Sequence, residues 1–97
     1  MLAASGITLD PATRAVSCAG KTVELSAREY ALLLALMQQP GRALSRAQLE
    51  QHLYAWGEEI GSNAVEVYIH HLRRKLDAQA IRTLRGVGYV IARDAAP

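Results

Sequence analysis

The segment 62–76, with the sequence SNAVEVYIHHLRRKL, carries the side chains whose chemistry is most specific in this chain. At about 100° per residue, its apolar side chains form a single stripe suited to packing on a core. This stripe consists of Val65, Ile69, Leu72 and Leu76. The opposite side presents amide, imidazole and guanidinium groups, which hydrogen-bond to base edges and phosphates. These groups belong to Asn63, His70, His71 and Arg74, and Val67 lies among them.

We therefore predict that segment 62–76 is a DNA recognition helix. Ser62 or Asn63 can cap its first turn, and Asn63 with Glu66 has the spacing of a capping box. Considered alone, the segment fits an ordinary solvated helix with a basic end equally well.

The distribution of charge favours the nucleic-acid interpretation. The formal net charge is only +2. Residues 62–85 hold five basic and two acidic side chains, whereas residues 1–61 hold five basic and six acidic ones. The surplus positive charge therefore lies in and just after segment 62–76, as expected for the electrostatic footprint of a DNA-binding surface.

Length and composition indicate a single globular domain. The chain has 97 residues, of which 51% are hydrophobic and 21% charged, values typical of soluble proteins. No apolar run approaches the ~20 residues that a membrane span needs. The single cysteine, Cys18, has no partner for an internal disulfide. We expect a cytoplasmic protein without a membrane contact.

The N-terminal part is predicted to form a small antiparallel sheet. Short strands are expected over 7–10, 14–18 and 21–25, because apolar residues alternate there and turn residues separate the runs. We assign residues 1–5 to a linker stub or a cloning remnant and residues 94–97 to a flexible tail. The folded domain is then expected to span residues 6–93.

Two capping boxes predict two helices before the basic segment. Ser26 with Glu29 begins a core helix that stops at residues 40–41, and Ser45 with Gln48 begins a shorter helix that ends near Leu53.

The connector that follows the second helix, residues 54–61, is about twice as long as the tight turn of a helix-turn-helix. We expect Trp56 to be buried between the helices. Glu58 and Glu59 are expected to face away from DNA.

The segment 81–91 predicts a β-hairpin whose turn contains Gly86 and Gly88. A hairpin that carries Arg82 and Arg85 beside a helix in the major groove would form a wing. An arginine on such a wing can enter the adjacent minor groove, where the potential is more negative.

The order of these elements and five short motifs resemble the C-terminal effector domain of OmpR/PhoB-type response regulators. The motifs are LSAREY at 25–30, SRAQL at 45–49, VEVYI at 65–69, LRRKL at 72–76 and RTLRGVGY at 82–89. The resemblance covers about residues 7–91, and the basic helix is most similar to the subgroup that contains QseB, TctD and PmrA. It implies an α+β fold, a winged helix-turn-helix with an N-terminal antiparallel sheet, a three-helix bundle and a C-terminal hairpin wing.

The resemblance also implies roles for individual residues. The N-terminal sheet should have four strands, with a further strand near Ser5 or within the first residues. Major-groove contacts fall on Asn63, Val67, His70, His71 and Arg74. Phosphate contacts fall on Ser45, Arg46, Tyr68, Arg73 and Thr83, and the minor-groove contact falls on Arg85. The connector, through Trp56, Glu58 and Glu59, is implied to touch RNA polymerase.

The implied partners are those of a two-component output domain. They are double-stranded DNA, bound as tandem half-sites by two protomers, RNA polymerase, an N-terminal receiver domain and a sensor histidine kinase. No cofactor or metal is implied. Family members often have arginine at the positions of His70 and His71, which leaves the base preference and the pH response of this chain open.

Two other classes of function fit the sequence less well. The chain has no glycine-rich phosphate loop, nucleophile elbow or catalytic carboxylate pair. Adjacent His70 and His71 point about 100° apart on a helix and cannot both ligate one metal, so we do not expect an enzyme. A winged helix that binds protein instead of DNA is the alternative. Such a protein would keep the apolar core pattern, but protein binding does not require arginines on both the helix and the wing.

Overall fold

The N-terminal sheet, three helices and C-terminal hairpin follow one another along the chain. A computed structural model describes residues 1–54 and 63–92. The elements are β1 (Leu2–Ala4), β2 (Ile7–Asp10), β3 (Ala15–Cys18), β4 (Lys21–Val23), α1 (Ala27–Gln38), α2 (Arg46–Tyr54), α3 (Ala64–Lys75), β5 (Ile81–Leu84) and β6 (Gly88–Ile91). In these two ranges, no helix has the length and apolar content needed to cross a membrane.

The four N-terminal strands form an antiparallel sheet in the order β1-β2-β3-β4. This confirms the fourth strand that the resemblance implied, but the assignment of residues 1–5 to a linker stub is wrong. Ala4 is fully buried, and the hydroxyl of Ser5 donates a 2.8 Å hydrogen bond to the carbonyl oxygen of Ala92. Positive φ angles of 52° at Ser5 and 77° at Gly6 make the tight turn that folds β1 back onto β2.

Both predicted capping boxes are confirmed. At α1, the Glu29 amide donates to Ser26 Oγ, and the Ser26 amide donates to Glu29 Oε1. At α2, Ser45 and Gln48 exchange the same pair of hydrogen bonds. These bonds satisfy amides that an α-helix leaves without an internal partner, and each box depends only on side chains three positions apart.

The start of α3 differs from the prediction. Asn63 occupies the cap position with φ −108° and ψ 13°, and its side chain makes no capping hydrogen bond. The prediction of an Asn63 capping box is therefore wrong, because this backbone geometry lacks the extended conformation that aims a cap side chain at the first turn. Ser62 lies outside the described residues.

The core is centred on α1, whose buried side chains lie on more than one side of the helix. Leu32, Leu33 and Leu36 are fully buried, and Val65, Ile69 and Leu72 of α3 join the same cluster. The predicted apolar stripe of the basic helix is therefore confirmed, with Leu76 partly buried at its end. Its burial fixes which face of α3 points away from the core.

The wing, residues 81–91, is an antiparallel hairpin that is attached to the turn between α1 and α2. Leu44 and Tyr89 exchange two backbone hydrogen bonds of 2.8 and 2.9 Å. Gly88 beside them has a φ of 150°, and a Cβ there would lie 2.0 Å from the carbonyl oxygen of Leu44. Only glycine allows β6 to approach this turn so closely.

Candidate nucleic-acid interface

The outward side of α3 presents four of the five side chains that were predicted to contact bases. These are Asn63, Val67, His70 and Arg74, and we call them the reading face. Val67 is 39% exposed although it is apolar. The burial of Val65, Ile69 and Leu72 on the opposite side leaves the reading face free to meet a ligand.

His71, the fifth predicted base contact, points toward α1. Its Nδ1 lies 3.2 Å from Oε2 of Glu29, and its ring meets the ring of Tyr68 edge-on. The expectation that both histidines face solvent alike therefore holds for His70 and is wrong for His71, which is only half exposed. The physical reason is the buried carboxylate of Glu29, which attracts a hydrogen-bond donor from this flank of α3.

Glu29 joins the first turn of α1 to the last turns of α3. Its side chain is 4% exposed, and its Oε1 accepts a 2.6 Å hydrogen bond from Lys75 Nζ. Burial by itself would raise the pKa of Glu29, but hydrogen bonds from Lys75 and the Ser26 amide, with the charges of Lys75 and His71, lower it below 4.5. The carboxylate is therefore held in its charged form.

Tyr68 also leans toward α1. Its hydroxyl oxygen accepts a 3.0 Å hydrogen bond from Nη1 of Arg28. The family resemblance implied a phosphate contact for Tyr68, and no role beyond the capping box of Glu29 was predicted for Arg28, Glu29 or Lys75. These three residues come together only when α1 packs against α3, so no local motif reveals them.

Ser45 and Arg46 lie at the start of α2, across an open groove from the wing. Arg46 Nε is 3.2 Å from Oε1 of Glu50 and 3.3 Å from Oε1 of Glu66. Its side chain remains 48% exposed. The Arg46 side chain, which was predicted to contact a phosphate, is therefore already paired with two carboxylates in the DNA-free domain.

The wing carries exposed arginines at Arg82 and Arg85. Neither arginine side chain makes a hydrogen bond or an ion pair with any residue in the described ranges. Thr83 lies between them, and its Oγ1 accepts a 2.7 Å hydrogen bond from Nη2 of Arg73. Arg73 also donates from Nε and Nη2 to the carbonyl oxygen of Ile81, at 3.0 and 2.9 Å.

The predictions for the connector are not tested by the described residues. Trp56, Glu58 and Glu59 lie outside them, so the burial of Trp56 and the polymerase contact stay predictions.

Over residues 1–54 and 63–92, no group of histidine, cysteine, aspartate or glutamate side chains is arranged to hold a metal ion.

Residues 20–91 match the protein family described as "Transcriptional regulatory protein, C terminal". The chain belongs to this family. It is a family of transcriptional regulators and not of enzymes. Because the fold carries its sheet, helices and wing in the predicted order, the assignment to the OmpR/PhoB type is confirmed.

The similar proteins include a response regulator and a transcriptional regulatory protein of bacteria. The response regulator PmrA of Pseudomonas aeruginosa is 58% identical over 85 residues, which cover 88% of this chain and 38% of that protein. QseB of Escherichia coli O157:H7 is 49% identical over 85 residues, covering 88% of this chain and 39% of that protein. The chain spans about two fifths of the length of these relatives. The predicted similarity to PmrA and QseB is confirmed.

Two solved structures of the same fold are DNA-binding domains. The domain of Klebsiella pneumoniae RstA, in complex with the RstA box, is 31% identical with a TM-score of 0.79, covering 94% of this chain and 95% of that chain. The domain of Escherichia coli CpxR is 33% identical with a TM-score of 0.80, covering 97% of each chain. The predicted α+β winged helix-turn-helix is therefore confirmed.

Proposed function

We propose that this domain binds double-stranded DNA sequence-specifically, as the output domain of a two-component transcriptional response regulator. The observation that carries the proposal is the joint exposure of the reading face of α3 and the arginines of the wing. The relative PmrA, named a response regulator, the relative QseB, named a transcriptional regulatory protein, and the RstA domain in complex with the RstA box support it. No observation favours the alternative of a winged helix that binds only protein.

In the proposed complex, α3 enters the major groove with its reading face toward the base edges. Asn63 and Arg74 supply the amide and guanidinium groups that hydrogen-bond to adenine and guanine, and Val67 suits a thymine methyl group. His70 supplies an imidazole on the same side. Arg85 enters the neighbouring minor groove, where the negative potential favours an arginine.

Phosphate contacts would hold the domain in register on the duplex. We assign them to Ser45, Arg46, Tyr68 and Thr83, four of the five residues for which the family resemblance implied this role; the fifth is Arg73. Phosphates would compete with Glu50 and Glu66 for Arg46. Thr83 is suited to the role, because its oxygen accepts from Arg73 and leaves its hydroxyl proton free for a phosphate oxygen.

The wider assembly is also part of the proposal. Two protomers would occupy tandem half-sites in the bacterial cytoplasm, and residues 54–61 with Trp56, Glu58 and Glu59 would touch RNA polymerase. In the full-length protein, a receiver domain phosphorylated by a sensor histidine kinase would control the output.

Selection of binding sites from random duplex DNA, followed by fluorescence anisotropy on the selected site, tests the proposal. We expect the selected site to bind at least ~1000-fold more tightly than unrelated DNA, and the affinity to fall as salt releases counterions. Arg74→Ala should weaken binding, whereas Lys21→Ala, an exposed change in the N-terminal sheet, should not. Failure to enrich any sequence, with no binding to DNA at low salt, would refute the proposal.

A further inference from the structure

We propose that Arg73 is a positioning residue that sets the place of the wing relative to the recognition helix. The inference rests on the proposed DNA-binding function, and it differs from the phosphate contact that the family resemblance implied for Arg73. In this role, Arg73 governs affinity for DNA through Arg85 without contributing a phosphate contact of its own.

The side chain of Arg73 links α3 to β5 through three hydrogen bonds, which we call the clamp. Nε and Nη2 both donate to the carbonyl oxygen of Ile81, and Nη2 donates a further hydrogen bond to Thr83 Oγ1. Three of the five N–H donors of the guanidinium are therefore used within the protein. The side chain is partly buried, which strengthens hydrogen bonds from a charged donor.

Both acceptors of Arg73 belong to β5, a strand that has no neighbouring strand on one of its sides within residues 1–54 and 63–92. In the described structure, β5 pairs with β6 alone, so the other side of β5 presents backbone groups without a neighbouring strand. The Ile81 carbonyl oxygen accepts from both Nε and Nη2 of the planar Arg73 fork, so two hydrogen bonds converge on one acceptor. Lysine is a point charge on a flexible stem and cannot reproduce this arrangement.

The clamp lies between the two proposed DNA contacts. Arg73 directly precedes Arg74 of the reading face, and Thr83 is two residues before Arg85. Holding Thr83 against α3 therefore fixes the distance between the major-groove and minor-groove contacts before DNA binds. A surface fixed in its bound geometry avoids the entropic cost of ordering the wing during binding.

The variant Arg73→Lys separates positioning from a phosphate contact, because it keeps the charge and removes the fork. We expect it to weaken binding to the selected site roughly tenfold. The dependence of affinity on salt should stay unchanged, since the charge is retained. The matched control is Arg42→Lys, because Arg42 is an exposed arginine outside the proposed interface, with one exposed hydrogen bond from Nη1 to Gln39 Oε1. It should change affinity less than about twofold.

A double-mutant cycle with Arg85→Ala shows whether Arg73 acts through the wing. In the Arg85→Ala background, Arg73→Lys should cost little further affinity, because the contact that it positions is already lost. A full additional loss in that background would overturn the proposal. Affinity of Arg73→Lys equal to wild type would do the same, as would a salt slope reduced by about one in Arg73→Gln, the mark of a lost phosphate contact.

Hydrogen exchange of the DNA-free domain distinguishes failure of this inference from failure of the proposed function. Arg73→Lys should accelerate amide exchange in residues 81–91 and leave exchange in α1 unchanged, with Arg42→Lys resembling wild type. Unchanged exchange in the wing would overturn the clamp even in a protein that binds DNA. Accelerated exchange in a protein that binds no DNA would instead overturn the proposed function.

Discussion

Lys75 Nζ lies 2.6 Å from Oε1 of Glu29, so the last turn of α3 is held against the first turn of α1. The same carboxylate closes the capping box of α1 through the Ser26 amide. One buried side chain thus completes a local motif and also fixes the orientation of the proposed recognition helix on the core.

The first prediction concerns Glu29. Its folded-state pKa is lowered below 4.5, so its contribution to stability is present above the pKa of the unfolded chain and is lost as pH falls through the folded value. We expect Glu29→Gln to lower the free energy of unfolding by about 1–3 kcal/mol at pH 7. The difference from wild type should shrink below about pH 4.5.

Urea unfolding at pH 7 and at low pH measures this difference. Glu24→Gln, a change at an exposed glutamate just before α1, serves as the control and should leave stability nearly unchanged. A Glu29→Gln variant as stable as wild type at neutral pH would contradict the prediction.

The second prediction concerns Gly88. Gly88→Ala would place a Cβ 2.0 Å from the Leu44 carbonyl oxygen at a φ of 150°, so β6 must move away from the turn between α1 and α2. We expect a loss of about 3 kcal/mol or more of stability. Gly86→Ala is the control, because Gly86 has a φ of 74° with open space around it. It should cost only about 1–2 kcal/mol, and equal thermal shifts for the two variants would show that the close approach is unimportant.

The third prediction concerns Val67. Val67→Ala should relax the preference at one base position, because the apolar side chain suits a thymine methyl, and should leave the melting temperature nearly unchanged. Val65→Ala, which removes a side chain that is 1% exposed, should instead cost roughly 2 kcal/mol of stability. Selection of binding sites with both variants tests the predicted change in base preference. An unchanged site preference for Val67→Ala would exclude the thymine contact.

The fourth prediction concerns Arg85. Arg85→Ala should weaken binding by about 1–3 kcal/mol, most strongly at sites whose flank has an A·T-rich, narrow minor groove. Anisotropy titrations on sites with A·T-rich and G·C-rich flanks measure the effect, with Lys21→Ala as the control. Equal losses on both flanks would reduce Arg85 to a general phosphate contact.

The fifth prediction concerns the two histidines. Nearby phosphates favour the protonated, positively charged form of an imidazole. DNA affinity should therefore rise as pH falls from about 8 to about 6, and His70→Gln should remove most of this rise. His71→Gln should remove less, because His71 faces Glu29, Lys75 and Tyr68. A pH dependence that survives in the His70→Gln/His71→Gln double variant would exclude both residues as its source.

Features encoded within a few neighbouring residues could be predicted from the sequence. The capping boxes at Ser26 and Ser45 need only a side chain and its partner three positions later, and the stripe of α3 follows from the helical period. The pattern of residues did not reveal strand β1, Leu2–Ala4, which only the family resemblance implied. The wing was recognisable from its glycines and arginines.

Features that depend on the packing of distant segments could not be predicted. Glu29 and Lys75 are 46 positions apart, and nothing near either residue indicates the other. Histidine is a residue type that can contact bases, but the side chain of His71 points toward Glu29 of α1 instead. Arg73 has the residue type of a phosphate contact, and only the placement of β5 reveals its hydrogen bonds to Ile81 and Thr83.

The hydrogen bond from Ser5 to the Ala92 carbonyl has a consequence for folding kinetics. It joins positions 87 residues apart, whereas the turns of the N-terminal sheet and of the wing close loops of only a few residues. Because the entropy lost on closing a loop grows with its length, we expect the long-range docking of β6 to follow the local elements. The surface proposed for DNA would then be completed in the final step, and substitutions at the Leu44–Tyr89 pairing would chiefly accelerate unfolding while leaving the folding rate nearly unchanged.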